Sequence, residues 1–234
     1  MGRPRVLSSV PGASVPNPSR RRVRCSNRYR SAMRTLLTLV RHGETSANLD
    51  GVWHGSIDTP LTDRGRRQAE RVASFLATRH QDATALYSSH LTRARDTAGA
   101  IAAQLRLVPV IDEGLAEYDL GSWEGLSYAE LHDRHRLWDR MKEDPDFAPH
   151  GGESPRQVAE RFTGSLLRIA AEHPGQRAIV VAHGGVLSMG LAALLDGDYT
   201  QWKRVMHNCA VSELVFEPAP ALLSFNLIEH LEGI

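Results

Sequence analysis

From Arg34 onward, short apolar runs alternate with longer amphipathic stretches. The short runs are rich in aliphatic and β-branched residues, as is typical of strands buried on both faces, and predict strands at Leu36–Val40, Ala85–Ser88, Val108–Ile111 and Ala178–Ala182. The longer stretches predict helices at Thr62–Thr78, His90–Leu105, Ser154–Ala171 and Val186–Leu195. Strands that alternate with helices indicate an α/β fold, a three-layer α/β/α sandwich with a mainly parallel central sheet.

Two later segments depart from this alternation. The apolar runs Val211–Phe216 and Leu222–Ile228 are separated by Pro218-Ala-Pro220, which predicts a hairpin that closes one sheet edge with antiparallel strands. Residues 118–152 contain one predicted helix, Tyr128–Lys142, followed by turns rich in proline and glycine. Long interruptions in a compact domain are usually functional, so we interpret this stretch as a helical lid insertion.

Residues 1–32 have a different composition, with eight arginines, six serines, four prolines and no acidic residue. They cannot bury enough apolar surface to order themselves, and we expect a disordered basic tail before a domain at 33–234. Three interpretations are open. Met33 directly precedes the first predicted strand, so the true start of translation can lie there; the segment can be an organelle transit peptide; or its charge can bind a polyanion.

Composition and charge narrow the classes of function. The chain has 234 residues, a net charge of +1 and no apolar run long enough to cross a bilayer, so we expect no membrane association. Beyond the tail the arginines are interspersed with acids, which argues against nucleic-acid binding. Only Cys25 and Cys209 are cysteines, which favours a reducing, cytoplasmic location over a disulfide framework.

Polar residues follow the predicted strands at the points where ligands bind to parallel sheets. Arg41 and His42 follow the first strand, Arg93 opens the helix after the second, Glu117 follows the third, and His183 follows the fourth. Each residue alone is more often structural: a strand-end histidine is usually a hydrogen-bonded core residue, and a lone arginine is usually solvated. A structural role for each residue separately explains much less well why all five are expected at one edge of the sheet.

The chemistry of this group fits a phosphate ester. Guanidinium groups form planar forks that match a phosphate dianion, and glycines such as Gly43, Gly184 and Gly185 permit close approach of a ligand to the backbone. A histidine can attack phosphorus and carry the phosphoryl group. A carboxyl group in a partly closed pocket can protonate the leaving alkoxide, and we assign that part to Glu117.

Five motifs occur in a characteristic order: Leu39-Val-Arg-His-Gly-Glu-Thr45, Ser88-Ser-His-Leu-Thr-Arg-Ala-Arg-Asp-Thr-Ala98, Leu115-Ala-Glu-Tyr-Asp-Leu-Gly-Ser-Trp-Glu-Gly125, His150-Gly-Gly-Glu-Ser154 and Val181-Ala-His-Gly-Gly-Val186. Together they make residues 34–230 resemble the histidine phosphatase superfamily, which is also called phosphoglycerate mutase-like. The resemblance implies that His42 is the phosphorylated nucleophile. It also implies that Arg41, Arg93 and His183 hold the phosphoryl group and that Glu117 is the general acid and base.

The resemblance further implies that Asn48 contacts the phosphoryl group and that neither a metal nor another cofactor is needed. We also expect Gly184, Tyr118, His54 and Gly55 to bind substrate. His54 and Gly55 should do so at the rim of the pocket, beside Trp53. Trp53 itself can line the rim or can equally be a core residue. The expected ligand is a small phosphorylated metabolite. A homodimer is left open. His132 and His135 lie three residues apart on a predicted helix, but they lack a carboxylate or cysteine partner and are better explained as a solvated face than as a metal site.

The residues after Glu117 favour one branch of the superfamily. The cofactor-dependent mutases usually continue with Arg-His, which helps to hold a second anionic group, whereas this chain has Tyr118-Asp119. We therefore predict a metal-independent phosphomonoesterase, with a phosphoglycerate mutase as the alternative and a silent phospholigand-binding module as a third. Aromatic residues of the insertion either select the leaving group or pack the insertion onto the domain, and the two interpretations stay even: Tyr118, Trp123, Tyr128, Trp138 and Phe147.

Overall fold

The computed structural model describes residues 34–200, 202–217 and 219–234, together with Gly2. The predictions for the tail at residues 1–32 and for Pro218 therefore lie outside the described residues. The six strands are β1 (Thr35–Arg41), β2 (Ala83–Ser88), β3 (Pro109–Ile111), β4 (Arg177–Ala182), β5 (Val211–Phe216) and β6 (Pro220–Leu227).

The strands form one sheet in the order β3-β2-β4-β1-β5-β6. Its first four strands are parallel, whereas β5 runs antiparallel to β1 and β6 antiparallel to β5. This arrangement confirms the predicted mainly parallel sheet with an antiparallel edge. Because β5 is antiparallel, its first residue, Val211, lies beside Val40 near the carboxyl end of β1.

In the described part of the chain, six α-helices connect and cover the strands: α1 (Ser46–Asp50), α2 (Asp63–Arg79), α3 (Thr92–Leu105), α4 (Leu137–Glu143), α5 (Pro155–Glu172) and α6 (Gly184–Asp196). Side-chain caps fix the starts of α2 and α5. The Thr62 side chain accepts from the Gly65 amide at the start of α2, and Ser154, which precedes Pro155, forms a capping box with Gln157 at the start of α5.

Alternate residues of the sheet face two separate cores. Val40, Ile179 and Val181 pack with the apolar sides of α2 and α3, and Leu39 and Val180 pack with those of α5 and α6. This period of two places one helix layer on each face. The predicted three-layer α/β/α sandwich is therefore confirmed. None of the helices in the described parts of the chain is long and apolar enough to cross a membrane.

The stretch at 118–152 does not contain the single helix predicted at Tyr128–Lys142. A π-helical segment, Glu130–Arg134, is followed by α4, and Arg136 between them has a left-handed backbone with φ 49°. That conformation ends the first helical segment and starts the second at a new angle. Leu131, Leu137 and Met141 are buried in the larger core, so much of the insertion is packed against the domain.

Candidate active site

The parallel pairing of β1 and β4 brings the two strand-end histidines together. Arg41 lies beside Ala182 in the sheet, so His42 and His183 each follow at the same level, and their ring centroids are 5.0 Å apart. Both side chains are buried. Arg93 reaches the same place from the first turn of α3, and Glu117 arrives from the loop after β3. The structure thus brings together the five residues that the sequence predicted to converge.

Hydrogen bonding leaves one nitrogen of His42 available for attack. Its Nδ1 lies 2.7 Å from the Gly43 carbonyl, which can only accept, so we assign the proton to Nδ1 and the lone pair to Nε2. Burial, reinforced by the positive charges of Arg93 and Arg41, holds the pKa of His42 well below its ordinary value. The imidazole is therefore neutral and nucleophilic at neutral pH.

Arg93 orients His183 in the complementary way. Its Nε donates to Nδ1 of His183 over 3.1 Å, so His183 carries its proton on Nε2, which is buried and has no partner among the described residues. Burial and the charge of Arg93 hold the pKa of His183 well below its ordinary value as well. One N–H of each terminal nitrogen of Arg93 donates to a carbonyl, Nη1 to Ile57 (2.9 Å) and Nη2 to Gly55 (2.7 Å), and these bonds fix the guanidinium in place.

Arg41 keeps a donor free for a ligand. Its Nη1 donates to the Met206 carbonyl at 2.7 Å, while its Nε is buried without a partner among the described residues. No carboxylate forms an ion pair with Arg41 or Arg93 in the described part of the chain. Two desolvated cations with spare N–H groups therefore face the same cavity, and burial lowers the pKa of each although the charge of Glu117 opposes that change. A phosphoryl dianion would bond these free N–H groups directly.

The side-chain amide nitrogen of Asn48 donates to none of the residues that the structure describes. The Oδ1 atom accepts from the backbone and hydroxyl of Thr45 and from Nδ2 of Asn208, each at 3.1 Å. With the oxygen occupied, Nδ2 is the group of Asn48 left to donate to a ligand in the cavity that Asn48 lines. Asn208 also donates to the carbonyl of His42 at 3.1 Å, so it ties the nucleophile and Asn48 together.

Backbone amides fix the carboxylate of Glu117. Its Oε1 accepts from the amides of Tyr118 and Val186, both at 2.9 Å, and its Oε2 accepts from Gly185 at 3.0 Å. The latter two amides belong to the first turn of α6, where free N–H groups attract anions. Gly185 is needed at this point, because a Cβ there would lie 2.6 Å from Oε1 of Glu117. Oε2 accepts only one of these three bonds.

The described site residues enclose a cavity of about 210 Å³. Its wall is formed by polar residues at one end and by mainly aromatic residues at the other: Arg41, His42, Asn48, Trp53, His54, Arg93, Glu117, Tyr128, Trp138, Gly184, Gly185, Ser188, Trp202 and Val205. The predicted substrate-binding residues His54 and Gly184 are therefore in the wall. His54 bonds the hydroxyls of Thr45 and Thr59, and burial together with Arg93 and Arg41 lowers its pKa to about 4.

Two predicted substrate-binding residues lie behind the cavity instead. Gly55 has a left-handed backbone and its carbonyl accepts from Arg93, so it positions the arginine. The Tyr118 ring is fully buried against Trp53 and Trp202, with centroid distances of 6.1 and 6.4 Å. Direct contact of either residue with substrate is therefore corrected to a supporting position. The cause is that backbone direction at a loop, which periodicity does not encode, decides which groups face the ligand.

Comparison with known proteins agrees with this geometry. The family model of the histidine phosphatase superfamily (branch 1) matches residues 37–226, which include all the residues at the polar end of the cavity. The chain belongs to this superfamily. The family, fold class and enzyme class predicted from the sequence are thereby confirmed, the last as a phosphoric monoester hydrolase.

Individual relatives of this histidine phosphatase are named for different phosphate esters. The glucosyl-3-phosphoglycerate phosphatase of Mycobacterium tuberculosis is 34% identical over 79% of this chain and 86% of its own length. The metal-independent phosphoserine phosphatase of Arabidopsis thaliana is 39% identical over 65% of this chain and 66% of its own. The structure of phosphoserine phosphatase from Entamoeba histolytica in complex with 3-phosphoglyceric acid has a TM-score of 0.76, 31% identity, and coverage of 84% of this chain and 99% of its own.

Several residues of this histidine phosphatase site were missed in the sequence. Four of them lie before β5, whereas the prediction considered only residues that follow parallel strands: Trp202, Val205, Met206 and Asn208. The antiparallel direction of β5 brings the residues before that strand to the same edge of the sheet. The predicted antiparallel hairpin already implied that residues before its first strand could reach this edge. The two histidines of the insertion contact neighbouring side chains. His132 pairs with Asp133, and the His135 ring packs on the Trp123 ring with 4.4 Å between centroids.

Arg161 was missed because it lies in the middle of α5 rather than at a strand end. It donates to the carbonyls of Gly114 (3.0 Å), Ala116 (2.8 Å) and Glu117 (2.9 Å). Its other donors form a fork with the carboxylate of Glu153, at 2.6 and 2.7 Å. Arg161 thus holds the loop that carries the proposed general acid.

Proposed function

We propose that the protein hydrolyses phosphate monoesters of small metabolites, without a metal, through a phosphohistidine intermediate on His42. The observation that carries the proposal is the hydrogen bond from Nδ1 of His42 to the Gly43 carbonyl at 2.7 Å. It directs the lone pair of Nε2 toward the position that Arg41, Arg93 and His183 surround with donors. Covalent catalysis then divides one difficult displacement into two easier ones.

In the first step Nε2 of His42 forms a bond to phosphorus while the bond from phosphorus to the ester oxygen breaks. The leaving alkoxide takes a proton from Glu117, for which Oε2 is the better placed oxygen because it accepts only the Gly185 amide. Arg41 and Arg93 neutralise the phosphoryl oxygens, while Nε2–H of His183 and Nδ2 of Asn48 add neutral donors.

In the second step a water molecule takes the place of the departed alcohol. Glu117, now ionised, accepts a proton from that water as its oxygen attacks phosphorus. The bond to Nε2 breaks, inorganic phosphate leaves, and His42 and protonated Glu117 are restored. The same carboxyl group serves as acid and then as base, so proton transfer balances over one turnover.

Release of phosphate from p-nitrophenyl phosphate in EDTA tests this proposal. We expect turnover by the wild type and none by His42→Ala, with an acid-labile, base-stable phosphoenzyme in rapidly quenched wild-type samples. His173→Ala is the matched control, because His173 bonds Tyr87 outside the site and should leave turnover unchanged. Turnover that survives His42→Ala would refute the mechanism.

The structure weighs against the mutase alternative. A mutase must hold a second anionic group, but Arg41 and Arg93 are the only arginine or lysine side chains among the described cavity-lining residues, and both lie at the phosphoryl end. Tyr118 and Asp119 stand where mutases usually carry Arg-His, and the Asp119 carboxylate accepts from the Gly121 amide at 2.7 Å. Interconversion of phosphoglycerates faster than their hydrolysis, with added bisphosphoglycerate, would reverse this ranking. A silent binding module predicts no turnover of any monoester.

Four further points stay predictions: the domain at 33–234, the role of residues 118–152 as a lid, a cytoplasmic location and a homodimer. Light scattering after size exclusion measures the oligomeric state directly. Limited proteolysis tests the lid, since residues 118–152 should be protected by vanadate, which mimics the phosphoryl group in transfer.

A further inference from the structure

The cavity has two chemically different ends. Its inner end holds the charged and polar groups already described. The rest of the lining, named the outer wall, is formed by aromatic and aliphatic side chains, of which Tyr128 and Val205 are exposed to solvent: Trp53, Tyr128, Trp138, Trp202 and Val205. In the proposed mechanism the phosphoryl group occupies the inner end, which leaves the outer wall to surround the alcohol portion of the ester.

The rings of this outer wall support one another. Trp53 lies 5.8 Å from Tyr128 and 6.1 Å from Trp202, measured between ring centroids. Its Nε1 donates to the Tyr118 carbonyl at 3.1 Å, and a Cβ on Gly185 would lie 2.9 Å from its ring. Trp53 is therefore held on two sides and forms a fixed centre for the wall. A preformed apolar surface binds a flat apolar group with little loss of conformational entropy.

The outer wall itself carries no cation. Its residues Trp138 and Trp202 also line an adjoining cavity, and the cations Arg136, Lys142 and Lys203 lie in that second cavity. A carboxylate close to the ester would lose its water without gaining a cation. The wall thus disfavours compact, doubly anionic substrates such as the phosphoglycerates and phosphoserine.

Two buried polar atoms of the wall residues lack partners. Nε1 of Trp202 and Oγ of Ser188 are buried and form no hydrogen bond with any described residue. An indole N–H can only donate, and leaving it buried and unpaired costs free energy. A ligand that brings an acceptor to Trp202 would remove that cost.

We propose that the natural substrate is a phosphate monoester whose alcohol carries a flat, uncharged aromatic group, with a hydrogen-bond acceptor that reaches Nε1 of Trp202. The inference rests on the proposed phosphatase function and adds the class of the leaving group. It assigns specificity to Trp53, Tyr128, Trp138 and Trp202.

A matched set of esters tests the proposal. It consists of propyl phosphate and of phenylpropyl, pyridylpropyl and carboxypropyl phosphate, which carry the added group on the terminal carbon of the propyl chain. The leaving alcohols are similar in acidity, so differences in kcat/KM report binding of the terminal group. We expect phenylpropyl phosphate to exceed propyl phosphate by roughly tenfold or more, as filling an apolar pocket does. Pyridylpropyl phosphate should exceed phenylpropyl phosphate, and carboxypropyl phosphate should not exceed propyl phosphate.

Ratios measured within each variant separate specificity from general damage. Trp138→Ala and Trp202→Ala should lower the ratio of phenylpropyl to propyl phosphate several-fold. Trp202→Phe should keep much of that ratio but abolish the advantage of pyridylpropyl phosphate, since it retains a ring and removes the donor. Tyr199→Ala is the matched control, because Tyr199 lies in the same segment but not in the cavity wall, and its ratios should equal those of the wild type.

The outcomes distinguish this inference from the proposed function. Hydrolysis of propyl phosphate that depends on His42, with carboxypropyl phosphate preferred or with ratios unchanged in both tryptophan-to-alanine variants, would overturn the inference and leave the phosphatase standing. Failure to hydrolyse any of the four esters, with no phosphoenzyme formed, would overturn both.

Discussion

Replacement of Arg161 by leucine should impair the general acid while leaving the nucleophile intact. Arg161 does not line the cavity, but its guanidinium bonds the carbonyls of Gly114, Ala116 and Glu117 and forks onto Glu153. Leucine fills part of the same space and makes none of these bonds. The loop that carries Glu117 then loses its main polar anchor on α5.

The contacts set the expected size of the effect. A hydrogen bond to a charged group contributes about 1.5–3 kcal/mol. The Arg161 and Glu153 side chains are 23% and 26% exposed, so water replaces part of what is lost. We expect the free energy of unfolding to fall by roughly 2–4 kcal/mol. A displacement of Glu117 by about 1 Å should lower kcat by about a hundredfold for a poor leaving group.

The assay compares esters whose alcohols differ in acidity. An alkyl phosphate needs a proton from Glu117, whereas p-nitrophenolate leaves without one, so Arg161→Leu should slow alkyl phosphates much more than p-nitrophenyl phosphate. Arg156→Leu is the matched control on the same helix, since Arg156 forms an exposed pair with Asp146 and should change neither rate. An equal loss for both leaving groups in folded Arg161→Leu protein would refute the positioning role.

Two further substitutions test the packing and protonation of the site. Gly185→Ala should lower kcat at least tenfold, because its Cβ would press on Glu117 and Trp53, whereas Gly164→Ala on α5 meets no atom within 4 Å and should keep full activity; a fully active Gly185→Ala enzyme would contradict the close approach. The pKa of His54 is about 4 in the folded protein and 6.5 in its ordinary state, so the unfolded chain binds the extra proton as pH falls below 6.5. Lowering the pH from 7 to 5 should therefore reduce the free energy of unfolding, and His54 should account for roughly 2 kcal/mol of that loss. Denaturant unfolding of wild type and His54→Gln at both pH values measures it, and an identical loss in both proteins would exclude His54 as the source.

The catalytic end of the cavity was largely predictable because one geometric rule fixes it. Parallel strands present their carboxyl ends at one edge, so Arg41, His42 and His183 could be placed together from the apolar runs before them. The tautomers could not be predicted. They depend on the Gly43 carbonyl and on Nε of Arg93, whose positions follow from backbone direction and rotamers rather than from residue spacing.

Short and irregular elements were harder to predict for a related reason. Helix α1 has only five residues, fewer than two turns, so it carries too little periodicity to be recognised. The break at Arg136 needs a left-handed residue, which sequence patterns associate with glycine or asparagine rather than arginine. Both features affect the site, since α1 carries Asn48 and the segments around the break carry Tyr128 and Trp138.

The outer wall shows how the two interpretations of the aromatic residues in the insertion, substrate selection and packing, apply to different residues. Tyr128 and Trp138 line the cavity, whereas Trp123 and Phe147 pack on each other at 5.6 Å and support the insertion from behind. The same spacing along the chain thus gives both selection and packing. Trp202 completes the wall from the segment before β5, which the antiparallel direction of that strand brings to the same edge of the sheet. The proposed catalytic residues thus depend mainly on regular parallel strands, whereas the wall proposed to select the substrate comes from an insertion and from the segment before the antiparallel strand β5.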